Sequence, residues 1–145
     1  MSYSIKHLFH IEASKEKVFD AISTIIGLSN WWTVETTGND SIGGIIQFRF
    51  ASNGGPDMKV VVVNSGEKIV WECVESNHGW KGNTFVFMLD ENLGKTRVRF
   101  SHNGWKEQDD FYAICNFAWG RYMESLRQYC QTGTGEAYGS EGYRI

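Results

Sequence analysis

Apolar residues recur at steps of three and four between Asp109 and Gln131, a stretch with no proline and one glycine, Gly120. This spacing places them on one side of a helix, so the sequence predicts one long C-terminal helix. The predicted inner side consists of Phe111, Cys115, Ala118, Tyr122, Leu126 and Tyr129, and it is widened by Trp119, Met123 and Cys130. A side this broad and rich in rings indicates a helix that either fills a curved sheet or covers a cavity in it.

Before this helix, short segments alternate apolar and polar residues, which is typical of strands with one buried face. The first such segment covers residues 3–11, and five more follow between residues 45 and 102. Between the first two strands, Ser14 is suited to cap a helix that Gly27 would end, and Leu28 to Trp32 would form a second short helix or turn. We therefore predict an α+β fold in which a curved six-stranded antiparallel sheet wraps around the long C-terminal helix, with two short helices between strands 1 and 2.

Length and composition predict a single domain with a bulky interior. A chain of 145 residues buries about two thirds of its unfolded surface, and 14% of these residues are aromatic, including six Trp. We predict that residues 1–133 form the domain and that residues 134–145, which are rich in glycine and polar residues, form a flexible C-terminal tail.

Charge and cysteine usage exclude several classes of function. The net charge is −3 and Lys and Arg are scattered, which argues against nucleic-acid binding. Three cysteines without a CxxC pair indicate buried thiols rather than disulfides or a metal site, so we expect no metal and no cofactor. The first twelve residues lack a continuous apolar stretch, which favours a cytoplasmic protein without a membrane span.

Several segments of the chain resemble a known superfamily. It is the START-like (SRPBCC) superfamily with its helix-grip fold, and within it the branch named for activators of the heat-shock-protein-90 ATPase. The segments that carry the resemblance are Ile11 to Ser14 with Val18-Phe19, Leu28 with Trp31-Trp32, Gly43-Gly44, Lys81 to Thr84, Thr96 to Trp105, and Cys115, Trp119, Leu126 and Tyr129. The resemblance implies a deep pocket between the sheet and the long helix. Because the superfamily includes lipid carriers, cyclases, hydrolases and co-chaperone domains, it predicts the fold more sharply than the activity.

The candidate ligand-binding residues are mostly apolar side chains expected to point inward. They are Trp32, Phe48, Phe50, Met58, Trp71, Phe85, Phe87, Phe100, His102, Trp105, Trp119 and Met123. The same residue types would also build a solid core, so the sequence leaves open whether the cavity is open or filled. Of the adjacent Trp31 and Trp32, we expect one to pack inward and the other to reach the pocket mouth or the surface. His78, in a loop beside Trp80, is either solvated or at the cavity mouth.

Three functions remain open. The first is binding of a small hydrophobic molecule, such as a lipid, an isoprenoid or a polyketide-like aromatic, with Phe87 and Trp119 as expected contacts. The second is a polyketide cyclase-like or hydrolase-like enzyme that uses His102 as its acid or base. The third is a chaperone-associated interaction module or a homodimer, which needs an exposed apolar patch and would be favoured by Trp31, Trp32 and Trp80 on the surface. Because the sequence contains no GxSxG, Walker or GxGxxG motif, the non-enzymatic alternatives are favoured.

Overall fold

Seven antiparallel strands form one sheet in the computed structural model of the chain, which describes residues 1–144. Their spatial order is β1-β7-β6-β5-β4-β3-β2, so the first and last strands of the chain are neighbours. The strands are β1 (Tyr3–Ile11), β2 (Glu35–Gly38), β3 (Ile45–Arg49), β4 (Asp57–Asn64), β5 (Lys68–Glu75), β6 (Thr84–Asn92) and β7 (Lys95–Trp105). The helices are α1 (Lys15–Ser23), α2 (Ile25–Trp31) and α3 (Asp110–Thr132). This arrangement confirms the predicted α+β helix-grip fold.

The predicted number of strands was wrong by one, because the sequence prediction missed β2. Its residues, Glu-Thr-Thr-Gly, show none of the apolar alternation that marks the other strands. The strand forms through pairing with β3, with Glu35 opposite Arg49 and Gly38 opposite Ile46. Tertiary pairing, and not local propensity, therefore adds the seventh strand.

Two short helices lie between β1 and the next strand, as predicted, but their boundary differs. Ser14 caps α1 by accepting from the Lys17 amide, while Thr24 both ends α1 and caps α2 by accepting from the Gly27 amide. Gly27 therefore lies inside α2 and does not end α1. A Cβ at Gly27 would come within 2.7 Å of the Ala21 backbone, so glycine is required for the close approach of the two helices.

The long helix α3 begins and ends where the sequence predicts. Asp109 caps it by accepting from the Tyr112 amide, and Gly133 ends it in the left-handed conformation with φ of 88°. One assignment on its inner side was wrong, because Phe111 in the first turn is 39% exposed.

The space between the sheet and α3 is filled by aromatic rings. Trp32 lies between Trp119 and Trp71, with ring centroids at 4.9 and 6.1 Å, and it also contacts Phe48 at 4.3 Å. The rings of Trp31 and Trp32 are stacked and both are buried, because α2 ends between them. Of the two outcomes considered for the second ring, the pocket mouth or the surface, the surface is excluded, and Trp32 lines the pocket described below while Trp31 packs into the core.

After α3 the chain turns back onto the domain. The Tyr138 amide donates to the Trp32 carbonyl oxygen at 2.9 Å, and the Val34 amide donates to the Tyr138 carbonyl oxygen at 3.0 Å. Glu136 is buried and forms an ion pair with Arg144. The flexibility predicted for residues 134–145, of which the last lies outside the described residues, stays a prediction, and these contacts give it a direct test.

Candidate functional site

A cavity of about 310 Å³ opens between α3, the loop after β5, the turn after β3 and the C-terminal segment. It lies at the edge of the aromatic core, so some rings that fill the interior also form the floor of the cavity. The residues that line it are Trp32, Phe50, Asn53, His78, Trp80, Cys115, Ala118, Trp119, Tyr122, Tyr138 and Tyr143. Seven of these eleven residues are Trp, Tyr or Phe, and their rings give broad flat walls.

The lining contains hydrogen-bonding groups but no charged side chain: among residues 1–144, no Asp, Glu, Lys or Arg borders the cavity. Tyr122, Tyr138 and Tyr143 bring hydroxyls to one side. The indole Nε1–H of Trp80 is buried beside the Cys115 thiol and has no other hydrogen-bond partner among the described residues. A buried donor that lacks a partner is costly, so these walls favour an uncharged molecule with an apolar body and few polar atoms.

His78 is held at the cavity rim by the turn that follows β3. Its Nε2 lies 2.9 Å from the Asn53 carbonyl oxygen, and the Asn77 side-chain amide donates to the same oxygen at 2.8 Å. Because a carbonyl oxygen only accepts, His78 Nε2 must carry a proton in this geometry. The loop after β5 and the turn after β3 are thereby joined at the rim.

His102 lies outside the cavity, in the core behind Trp119. The Trp119 indole donates to its Nδ1 at 3.1 Å, and its Nε2 lies 2.9 Å from the Asn83 amide group. An indole nitrogen only donates, so Nδ1 is an acceptor, Nε2 carries the proton, and the Asn83 amide must present its oxygen. Burial lowers the pKa of His102 to about 3. With both nitrogens bonded and no exposed surface, this histidine has the geometry of a structural group.

The structure divides the twelve candidate ligand-binding residues into three groups. Three line the cavity: Trp32, Phe50 and Trp119. Eight are buried in the core without lining it: Phe48, Met58, Trp71, Phe85, Phe87, Phe100, His102 and Met123. Trp105 borders a separate, more polar cleft that also contains Lys81, Glu107 and Asp109.

Several lining residues were not found from the sequence. Cys115, Ala118 and Tyr122 do lie on the predicted inner side of α3, at the i, i+3 and i+7 positions, but they were not among the candidate ligand-binding residues. Tyr138 and Tyr143 lie in a segment whose composition resembles a loose tail. No periodicity marks such residues, since only the fold brings them to the cavity.

An exposed apolar stripe runs along α3 beside the cavity. Phe111, Ile114 and Phe117 are 39, 64 and 69% exposed and follow one another at steps of three. The tryptophans expected to form an interaction surface do not: Trp31 and Trp32 are buried and Trp80 is half-buried. Phe111 packs partly against Trp105, with ring centroids at 5.6 Å, and the stripe as a whole is the apolar surface that α3 leaves exposed.

Within residues 1–144, no group of three or more His, Cys, Asp or Glu side chains is placed to hold a metal ion. None of the helices in this range combines the length and apolar character that crossing a membrane requires.

Comparisons with known proteins agree on the family. A sequence model for the family described as "Activator of Hsp90 ATPase homolog 1-like protein" matches residues 12–131. The solution structure of the Aha1 dimer from Colwellia psychrerythraea is 34% identical, with 92% of this chain and 99% of that chain covered and a TM-score of 0.83. A search of curated proteins found no match.

Two more distant structures share the fold alone. A protein from Bacillus halodurans is 24% identical over 89% of this chain and 97% of that chain, with a TM-score of 0.72. CalU16 from Micromonospora echinospora is 16% identical over 90% of this chain and 67% of that chain, with a TM-score of 0.74.

Proposed function

The chain belongs to the family of activator of Hsp90 ATPase homolog 1-like proteins, and we propose that it binds a small, flat, uncharged molecule in the cavity between α3 and the C-terminal segment. The observation that supports this most directly is the cavity itself, about 310 Å³ in volume and walled by aromatic rings. Ligand pockets span roughly 300–1,000 Å³, so this one suits a compact molecule of one or two fused rings.

The rest of the interior argues for a compact ligand rather than a long-chain lipid. Behind Trp32 and Trp119, the rings of Trp71 and Phe48 are fully buried and in contact with one another at 5.7 Å. Such close packing leaves no channel for an acyl chain to enter beyond the cavity floor. Affinity would come from removing apolar area from water, at about 25 cal/mol per Å² before the costs of association.

The test uses an NMR titration of the protein with 2-naphthol, indole and decanol. We expect saturable shifts of the indole N–H signals of Trp32, Trp80 and Trp119 with the two aromatic probes. A larger side chain at Ala118 would fill part of the cavity. Ala118→Leu should therefore weaken binding of the aromatic probes about tenfold or more, because the probe loses contact area with the walls. Ala113→Leu is the matched control, since Ala113 lies on the exposed side of the same helix.

Two results would contradict this proposal. If none of the three probes gives a saturable shift, the cavity does not bind small apolar molecules. If Ala118→Leu binds as tightly as the unmodified protein, the ligand occupies a different place.

We also propose that the chain self-associates through the apolar stripe on α3, because the relative from Colwellia psychrerythraea, 34% identical, is described as a dimer. Burying Phe111, Ile114 and Phe117 against a second copy would remove the largest exposed apolar side chains of α3 from water. Light scattering after gel filtration should give twice the 16.5 kDa of one chain.

A pair of substitutions tests the place of contact. Phe117→Ser should shift the mass towards one chain, whereas Leu93→Ser should leave it at two, because Leu93 lies in the exposed turn between β6 and β7. A single-chain mass for the unmodified protein would contradict self-association, and a two-chain mass for Phe117→Ser would contradict the role of the stripe.

A further inference from the structure

We propose that the C-terminal segment 134–144, here called the strap, forms the wall that determines ligand specificity. Its Tyr138 and Tyr143 hydroxyls, together with that of Tyr122, select an aromatic ligand that carries a hydrogen-bonding group over a hydrocarbon of the same shape. This inference rests on the proposed binding function and names the chemical class of the ligand.

The strap is fixed to the domain at Tyr138 by backbone hydrogen bonds on both sides. The Tyr138 amide donates to Trp32, and its carbonyl accepts from Val34, so the strap pairs with the segment that follows α2. Trp32 itself lines the cavity. The position of Tyr138 is therefore set relative to the cavity floor by the residue that forms that floor.

A second attachment lies two residues earlier in the strap, at Glu136. The Glu136 amide donates to Ser125 Oγ at 2.7 Å, and the Ser125 hydroxyl donates to the Trp31 carbonyl oxygen at 2.8 Å. Ser125 is buried on α3, and a Cβ at Gly135 would collide with the Asn30 carbonyl oxygen. The strap thus enters through a gap that only glycine fits, and it is bonded to α3 at Ser125, which is itself bonded to the last residue of α2.

The two tyrosine rings of the strap face the cavity edge-on to other rings. Tyr138 contacts Phe50 at 5.3 Å and Tyr143 at 4.9 Å, both in edge-to-face geometry. On the α3 side, burial, followed by the neighbouring Tyr143 hydroxyl, raises the pKa of Tyr122. The three phenol groups therefore share one corner of the cavity.

The chemistry of that corner is selective because it gathers three hydroxyls, whereas most of the remaining lining is apolar ring surface. A ligand hydroxyl placed there can donate to one phenol oxygen and accept from another. A hydrocarbon of the same shape would displace the water from these hydroxyls without forming a hydrogen bond to them, and a polar group left without a partner weakens binding. The discrimination is thus made by the strap and Tyr122, while the tryptophans hold the ring without regard to its substituent.

The strap also lies beyond the residues that the family model matches. The family model matches residues 12–131, which includes Tyr122 but neither Tyr138 nor Tyr143. We therefore expect the ring-binding floor to be a property of the family and the hydroxyl corner to be a property of this chain.

The test compares two probes of equal shape, 2-naphthol and 2-methylnaphthalene, by NMR titration. The variant is Tyr138→Phe/Tyr143→Phe, which removes two hydroxyls and keeps both rings. We expect it to bind 2-naphthol about tenfold more weakly, while the affinity for 2-methylnaphthalene changes less than about twofold. Tyr129→Phe is the matched control, because Tyr129 lies on α3 outside the cavity.

The possible results separate this inference from the proposed function. If the unmodified protein binds both probes and the double variant keeps its full affinity for 2-naphthol, the strap does not recognise the ligand hydroxyl. The inference is then overturned, although the cavity still binds aromatic molecules. If both probes lose affinity equally in the double variant, the strap acts by shape alone and hydroxyl selection is overturned. If neither probe binds the unmodified protein, the proposed function fails and this inference fails with it.

Discussion

Both ring nitrogens of His102 are bonded, Nδ1 by the Trp119 indole and Nε2 by the Asn83 amide group. The sequence places this side chain on the inner face of β7 but does not reveal these partners, which lie 17 and 19 positions away along the chain. Its titration near neutral pH made it the natural candidate for an acid or base. In the fold it orients Trp119, whose ring forms part of the cavity floor.

His102 should make the stability of the protein depend on pH. Burial lowers its folded-state pKa to about 3, against an ordinary value of 6.5. Between these two pH values the unfolded chain binds more protons than the folded chain. The contribution of His102 to the free energy of unfolding is therefore fully present above about pH 6.5 and is lost as the pH falls towards 3. We expect His102→Asn to be less stable at neutral pH but to lose less of its melting temperature between about pH 7 and about pH 4.

Thermal unfolding across that pH range measures this dependence. His78→Asn serves as the control, because His78 is exposed, and it should follow the unmodified protein. If the His102→Asn curve instead runs parallel to that of the unmodified protein, His102 does not carry the pH dependence.

The helices and strands follow two kinds of signal, one readable from the sequence and one not. The caps Ser14 and Gly133 were readable, because the side chain of the one and the backbone freedom of the other act on the nearest turn. Neither β2 nor the pairing of the strap at Tyr138 was readable, since both depend on partners brought close by the fold. Gly27 was misread because a glycine at a helix end and one at a helix contact look alike in sequence.

The contact between α1 and α2 should be intolerant of a single methyl group. Gly27→Ala would place a Cβ 2.7 Å from the Ala21 backbone, which cannot give way as a flexible side chain would. We expect a loss of roughly 1–3 kcal/mol in the free energy of unfolding, despite the better helix propensity of alanine.

Gly120→Ala provides the matched change on another helix. There the added Cβ would meet only the His7 ring at 3.4 Å, so this variant should be neutral or slightly more stable. Urea denaturation of the two variants compares these effects, and an equal loss in both would refute the role assigned to the helix contact.

The strap should exchange its amide hydrogens unevenly if its contacts persist in solution. The Tyr138 amide is bonded to Trp32, whereas Glu141 is exposed. We expect the Tyr138 amide to exchange at least about tenfold more slowly than that of Glu141, measured by NMR and corrected for intrinsic rates. Equal, fast exchange of both amides would instead support the flexible tail that the composition of residues 134–145 predicts.

The molecule as a whole has one aromatic core with a cavity at its edge, and the sequence could not distinguish these two parts. The predicted inward residues are buried, apart from the half-buried Phe50. Burial, however, does not tell whether a ring faces another ring or an opening. That distinction depends on how the chain closes the open end of the sheet, which here involves the strap.

Phe87 illustrates the difference, because the sequence suggests it as a ligand contact. Its ring lies against Trp31, Trp71 and Phe100 at 6.1, 5.2 and 4.9 Å, away from the cavity. Phe87→Ala should therefore lower the free energy of unfolding by roughly 3–5 kcal/mol, since the core cannot collapse to fill the space.

The exposed Phe117 gives the comparison for this change. Phe117→Ala should alter the free energy of unfolding of the single chain by no more than about 0.5 kcal/mol. Urea unfolding at low protein concentration measures both variants. A small effect of Phe87→Ala would show that the core is looser than its contacts indicate.

The closely spaced indoles also determine how the protein fluoresces. Trp31, Trp71 and Trp119 each lie next to Trp32, and Trp80 lies next to Trp119, with ring centroids 4.9 to 6.2 Å apart. At such separations, light absorbed by one indole passes readily to the next, so emission comes from the group rather than from a single residue. A ligand that binds against Trp119 and quenches it would therefore also reduce the emission of indoles that it does not contact. Binding could then be followed by intrinsic tryptophan fluorescence, without an added label.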